Sequence, residues 1–282
     1  MKRILVATDL SERSDRAIGR AILLAKTLSA RLTVLHVIDD DLPASVAETQ
    51  KQVAGQSMRE HLASIPGAKD LDTNLVVGFG KDWSKILQQA DTEQSELVIL
   101  GLHRKSGLGS MFRGTTVERV VRNGDTPVLV AKNRPTRDYR VIVVGVDFSI
   151  YSRRALEFAL DFSKNSRIQL VHAYEIPFKG FLPSANTHAE MRKRDETLFR
   201  EMVDQEVEVF LAGLDAQRGR IEIVVSEGDP HSVINAQVAA LDADLLVLGT
   251  HGRTGVARAF LGSVAEGFLT DPPADVVAVK AW

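Results

Sequence analysis

The chain of 282 residues has no cysteine, which removes disulfides, thiolate metal sites, iron–sulfur clusters and a cysteine nucleophile together. Only 6% of the residues are aromatic and nine are proline, beside 44% hydrophobic and 26% charged residues. That composition excludes long disorder, collagen-like repeats and a disulfide miniprotein. Neither sign of charge dominates, since 35 basic and 37 acidic side chains leave a formal −2. Residues 1–138 hold 20 basic and 17 acidic side chains and residues 139–282 hold 15 and 20, too mild a difference to indicate nucleic acid as a partner. No apolar run approaches the roughly 20 residues of a membrane span. The opening Met1-Lys2-Arg3 leads into an apolar run that ends at Ala7, short of the roughly 7–15 residues in the core of a secretory signal. A cytoplasmic globular protein with no membrane attachment is expected.

What the chain does contain is a repeat of itself, and its length suits two domains at roughly 150 residues each. Arg3-Ile-Leu-Val-Ala-Thr-Asp9-Leu-Ser11 is answered by Arg140-Val-Ile-Val-Val-Gly-Val-Asp147-Phe-Ser149. Leu35-His36-Val37 matches Val171-His172-Ala173, and Gly80, Gly101, Gly114 and Lys132 match Gly228, Gly249, Gly262 and Lys280. The offsets grow from 138 at the aspartates to 148 at the glycines, which locates an insertion in the second copy near Pro177 to Arg194. Arg134 to Asp138 reads as the linker, giving domains 1–136 and 137–282.

Within each copy, short β-branched runs alternate with segments of helical period, the pattern of βα units around a parallel sheet. Strands are expected near 3–8, 32–38, 73–78, 97–101 and 127–131, and near 140–146, 168–173, 220–226, 244–248 and 275–279. Helices are expected over Asp15–Leu28, with Ala17, Ala21, Leu24, Ala25 and Leu28 as its buried stripe, and over Leu198–Leu214, with Leu198, Met202, Val203, Val207 and Phe210. Val141-Ile-Val-Val and Leu245-Leu-Val-Leu are apolar on both faces, as strands covered by helices on each side must be. The fold class is therefore α/β, with two tandem doubly wound domains. The apolar last strand of each copy, Val128-Leu-Val-Ala131 or Val276-Val-Ala-Val279, is an edge that invites pairing, so the two copies are expected to form an intramolecular pseudo-dimer.

Ligands of such sheets bind beyond the carboxyl ends of the strands. The first strand of each copy ends there in Asp9 or Asp147, and the fourth in Gly101 or Gly249. In copy two the following loop reads Gly249-Thr-His-Gly252, then nine residues, then Gly262-Ser263-Val264. Glycines admit close backbone approach, and the helix opening near Gly262 offers free amides to phosphate oxygens. Ser263-x-x-Glu266 and Thr115-x-x-Glu118 are also capping boxes, which gives each hydroxyl a purely structural reading. His36 and His172, mid-strand among apolar neighbours, read as core histidines, whereas His103 and His251 lie in the loops and could touch a ligand. No serine-hydrolase elbow or Walker-type phosphate loop is present.

The Val-Asp-Phe-Ser of 146–149 and the Gly-x2-Gly-x9-Gly-Ser of 249–263 resemble the universal stress protein family in its tandem two-domain form. The resemblance covers nearly the whole chain, twice. It implies a five-stranded sheet of order 3-2-1-4-5 in each domain, a stress-response role as sensor or regulator, and ATP or a related adenine nucleotide as ligand, with Mg left open. It would put Asp147 and Ala173 at the adenosine end, Gly249 at the ribose, and Gly252, Gly262, Ser263 and Val264 at the phosphates. Copy one departs from the pattern with Gly101-Leu-His-Arg104-Lys105 and Gly114-Thr115, which implies a degenerate first site, although Arg104 and Lys105 could themselves pair with an anion. No residue is placed for fast hydrolysis, so at most slow turnover of ATP is expected, with no catalytic or metal-ligating residue named.

Two other readings stand beside this one. A scaffold without nucleotide could recruit an unidentified protein or, through Phe178, Phe181 and Leu182, an apolar ligand. An enzyme of adenylate chemistry ranks last, because the pyrophosphatase and synthetase loop signatures are missing. Arg192-Lys193-Arg194 reads as a solvated basic cluster, with a partner role left open, as is a homodimer.

Overall fold

The computed structural model describes residues 1–39, 41–102, 114–175, 201–252 and 261–280. The first half runs β1 (Arg3–Thr8), α1 (Glu12–Leu28), β2 (Arg31–Ile38), α2 (Ala44–Ser64), β3 (Thr73–Phe79), α3 (Asp82–Thr92), β4 (Leu97–Gly101), α4 (Thr116–Asn123) and β5 (Val128–Ala131). The second repeats it with β6 (Val141–Gly145), α5 (Ile150–Phe162), β7 (Arg167–Tyr174), α6 (201–211), β8 (Ile221–Glu227), α7 (Pro230–Ala240), β9 (Leu245–Gly249), α8 (Ser263–Thr270) and β10 (Asp275–Val279).

All ten strands join one sheet in the order β3-β2-β1-β4-β5-β10-β9-β6-β7-β8. Each half is thus a parallel 3-2-1-4-5 sheet, as expected, and the two meet at a single antiparallel seam. There Val276, Val277 and Ala278 of β10 stand opposite Val130, Leu129 and Val128 of β5. All of these seam residues are buried. Pairing them removes two apolar edges that would otherwise face water with unpaired amides and carbonyls. On one face of the sheet, Ile4, Leu97 and Leu129 share a core with Val277, Ile142 and Leu156. On the other, Leu5, Val98 and Val130 share one with Val276, Leu246 and Phe268. Each core crosses the seam without a break.

Polar contacts tie the halves around this seam. Lys132 and Lys280, equivalent in the repeat, each reach across it, Lys132 Nζ donating to the Pro273 carbonyl at 3.1 Å and Lys280 Nζ to those of Arg122 and Gly124 at 3.2 and 3.1 Å. A buried cluster has no such symmetry. Asp275 of β10, its side chain 1% exposed, accepts from Arg20 Nε of α1 at 3.1 Å and from the Tyr139 hydroxyl at 2.7 Å. Its other oxygen accepts from the amides of Lys132 and Asn133 at 2.8 and 3.2 Å. The Arg20 guanidinium also lies 4.2 Å from the Tyr139 ring centre. Burial, and then Asp275 beside it, push the Tyr139 phenol well above its ordinary pKa, so it remains a donor.

Every expected strand is present with its ends within a residue or so. Helix α1 begins three residues before the expected Asp15, because the chain turns sharply at Leu10, whose φ is +62°. Met202 is 64% exposed rather than part of the α6 stripe, while Val203, Val207 and Phe210 are buried as expected. Val203, Val207, Phe210 and Leu211 are the buried residues of this helix, and at 3.6 residues per turn Met202 falls off the face they define. The insertion near Pro177 to Arg194, with Phe178, Phe181, Leu182 and the basic cluster, and Leu198 lie outside the described residues.

Candidate functional site

In both halves the first strand ends in a turn that most side chains avoid. Leu10 and Phe148, one residue past Asp9 and Asp147, have φ of +62° and +61°, a left-handed conformation that costs free energy and persists where its surroundings enforce it. The turn lets the aspartate cap it. Asp9 Oδ1 accepts from the Ser11 amide at 3.0 Å and its hydroxyl at 2.5 Å, and Asp147 Oδ1 from Ser149 at 3.0 and 2.6 Å. Burial opposes ionisation of Asp9, yet the hydrogen bonds from Ser11 and Ser14 outweigh it and hold its pKa below the usual carboxylate value. His36 Nδ1 lies 2.9 Å from the Thr8 carbonyl and His172 Nδ1 2.8 Å from that of Val146. Each ring is thus satisfied, as the core reading requires, but both are only half-buried, and His36 lines the first-half cavity.

All seven expected site residues of the second half, Asp147, Ala173, Gly249, Gly252, Gly262, Ser263 and Val264, line one cavity of about 240 Å³ at the carboxyl end of β6 and β9. The cavity is also lined by Pro230, Ile234 and His251. His251 of the loop contributes Nδ1, 2.9 Å from the Thr250 hydroxyl, and a buried Nε2 without a partner among the described residues. Burial, and then the charge of Lys280, lower the His251 pKa, so the ring is neutral at pH 7.

The glycines differ in what they do. A Cβ at Gly249 would sit 2.8–2.9 Å from backbone and Cβ atoms of Tyr151, so this glycine lets β9 pass close under α5 whether or not a ligand is present. A Cβ at Gly252 would lie 3.0 Å from Asp147 Oδ2. The carboxylate therefore borders this loop, and the separation expected between Asp147 and all the phosphate-side glycines does not hold at Gly252. Gly262 has φ of −62° and room for a Cβ, 3.4 Å from its nearest neighbour. No positive backbone angle demands glycine there.

The capping boxes also part company. In the first half Thr115 is the N-cap of α4 and accepts from the Glu118 amide at 3.1 Å, while the Glu118 carboxylate takes the amide of Gly114 rather than that of Thr115. In the second half the N-cap is Gly262, whose amide donates to the Thr250 carbonyl at 2.8 Å, and no side chain caps α8. Ser263 becomes the first helical residue. Its structural reading fails, and its hydroxyl stays on the cavity wall with the first-turn amides of α8.

The first half keeps a cavity of about 330 Å³ in the equivalent place, walled by Asp9, Val37 and Gly101. Beside the starts of α3 and α4 it carries Asp82 and Thr116 where the second half has Pro230 and Val264. Thr116 Oγ1 donates to Asp82 Oδ2, joining the starts of α3 and α4. Sequence reading passed over Asp82, though the 148-residue offset that pairs it with Pro230 was the signal that marks it. His103, Arg104 and Lys105 lie outside the described residues. No group of three His, Asp or Glu side chains suited to a metal occurs among the described residues, and no described helix is long and apolar enough to cross a membrane.

The model of the universal stress protein family matches residues 1–132 and again 138–280. Universal stress protein E of Photorhabdus laumondii is 25% identical, over 99% of this chain and 95% of its own length. A crystal structure of a universal stress protein from Archaeoglobus fulgidus superposes with a TM-score of 0.70 at 21% identity, covering 99% of this chain and 98% of that one. A structure of a Pseudomonas aeruginosa protein described as a putative universal stress protein gives 0.66 at 20% identity, over 99% and 93%. With the family matched twice along it and the paired 3-2-1-4-5 sheets in place, the chain belongs to the universal stress protein family in tandem two-domain form.

Proposed function

We propose that the cavity of the second half binds ATP or a related adenine nucleotide and that the protein acts as a nucleotide-dependent sensor or regulator in the stress response. One observation carries this reading: the first turn of α8 opens into the cavity without a side-chain cap. Uncapped amides and the positive end of the helix dipole favour phosphate oxygens. The phosphates belong on Ser263 and Val264 rather than at Gly252, since Asp147 borders that glycine and a carboxylate repels them. The Ser263 hydroxyl adds one donor. At the other end, Asp147 and Ala173 meet the adenosine, and the neutral His251 supplies a ring nitrogen but no charge. The preference for adenine itself rests on family membership. Mg, where it takes part, would arrive with the phosphates.

Equilibrium dialysis with labelled ATP tests the reading on the wild-type chain and on Gly262→Val. The backbone accepts a side chain at 262 without strain, so this variant is expected to fold while its bulk obstructs the approach to α8. Binding by the wild type and a loss of tenfold or more in the variant are expected. A folded variant with unchanged affinity would move the site elsewhere and favour the scaffold reading.

A further inference from the structure

The strands of the seam are close to symmetric, and that symmetry leaves the choice of partner open. Val276, Val277 and Ala278 stand opposite Val130, Leu129 and Val128, so Leu129 meets Val277, its own equivalent at the 148-residue offset. A strand that pairs with its equivalent in such a register fits a second copy of itself equally well. By that geometry β5 could take β5 of another chain, and β10 could take β10. The six strand residues do not forbid it, being apolar throughout. Nor do the lysines, because Lys132 and Lys280 make the same reach from either side. The ion pair of Arg122 with Glu266, at 3.8 Å, has Glu118 at the equivalent place of the first half and would be replaced in kind between two first halves.

The cluster of Arg20, Tyr139 and Asp275 does discriminate. Arg20 and Asp275 come from different halves, their side chains 7% and 1% exposed, with Nε 3.1 Å from Oδ2. In the repeat, Phe158 stands for Arg20 and Pro127 for Asp275. Two first halves joined on the same axis would bury two guanidiniums against proline, with no carboxylate. Two second halves would bury two Asp275 carboxylates against Phe158, each keeping the Tyr139 hydroxyl of its own half but not the guanidinium. A buried charge deprived of its counter-charge is strongly unfavourable. Charged groups buried at an interface are best attested as devices that fix which partners pair. We infer that this cluster is the selectivity element of the seam: it directs each half to the other and rejects a second copy of the same half, so that the chain closes on itself instead of linking to other chains.

The halves of a cut chain can be made to choose. A protease site is inserted after Arg134 of the full chain, the folded protein is cut, and isotope-labelled and unlabelled samples are mixed in mild urea until the label is shared among the pairs. Native mass spectrometry then separates mixed pairs from like pairs by mass. Like pairs are expected to be rare with the cluster intact and to rise at least tenfold in Arg20→Met/Asp275→Asn, which removes both charges and strands neither. The uncut double variant should melt close to the wild type, since replacing both members of a buried ion pair is often neutral, and this separates lost selectivity from lost fold. Where the cut halves do not exchange, uncut chains decide. The protein has no cysteine, so in folded Leu129→Cys a disulfide joins two chains where β5 lies against β5. After refolding at high concentration, linked dimers are expected in the double-variant background and not in the wild-type one. Like pairs as frequent with the cluster as without it would overturn the inference, as would equal amounts of linked dimer in the two folded backgrounds where no exchange occurs.

Discussion

At the scale of single residues, two glycines alike in the sequence carry different loads. Gly249→Ala would force the start of α5 away from β9, and overpacking of this kind costs about 1–3 kcal/mol. Gly262→Ala meets only ordinary contacts, so its cost is that of a poorer N-cap, about 1 kcal/mol or less. Chemical denaturation of the two variants is expected to separate them in that order. His251 yields a pH dependence. Its folded pKa lies below the unfolded value near 6.5, so the unfolded chain binds the proton first and stability is lost as pH falls from about 6.5 through the lower folded pKa. Melting temperatures between pH 7.5 and 5.5 should fall in the wild type, and less steeply in His251→Gln. The sequence made Gly252, Gly262 and Ser263 recognisable as a group through spacing alone. It could not show that Asp147 lies against Gly252, because that contact joins residues 105 apart in number through the side-by-side placement of β6 and β9.

At the scale of elements, the starts of α4 and α8 are the same motif used in two ways. Thr115→Ala removes a working N-cap and should cost about 0.5–2 kcal/mol. Ser263→Ala removes a hydroxyl that caps nothing, so it should leave stability nearly unchanged and weaken ATP binding only modestly. Thermal melts and ATP titrations of both variants check the contrast, and equal destabilisation would mean that Ser263 caps α8 after all. The inner strands were legible almost to the residue because both faces of each are buried, which leaves unbroken runs such as Leu245-Leu-Val-Leu, whereas β3 and β8 at the sheet edges are only partly buried. Helix starts were less so, since a short pattern such as Ser-x-x-Glu satisfies two registers and the choice depends on the Thr250 carbonyl, which the amide of Gly262 finds only in the folded loop.

At the scale of the molecule, the chain is two similar sheets closed against each other, and the repeat with its apolar terminal strands was enough to anticipate the seam. The cluster of Arg20, Tyr139 and Asp275 was not, because the residues at the matching places in the other copy are different in kind, Phe158 for Arg20 and Pro127 for Asp275, and the cluster joins α1, the residue just past the linker and β10. Arg20→Met would leave a buried carboxylate short of its partner, a change that typically costs about 3–5 kcal/mol. Denaturation is expected to be cooperative in the wild type and shifted markedly in this variant, and a negligible shift would mean that the cluster does not help hold the halves. The two cavities, facing solvent at equivalent places, are where the copies diverge in chemistry. One helix start is capped by the Thr115 side chain and the other has no side-chain cap. Calorimetric titration of the wild-type chain with ATP reads that difference most directly. One ATP per chain is the result the account predicts, whereas two equivalent sites, or none, would contradict it.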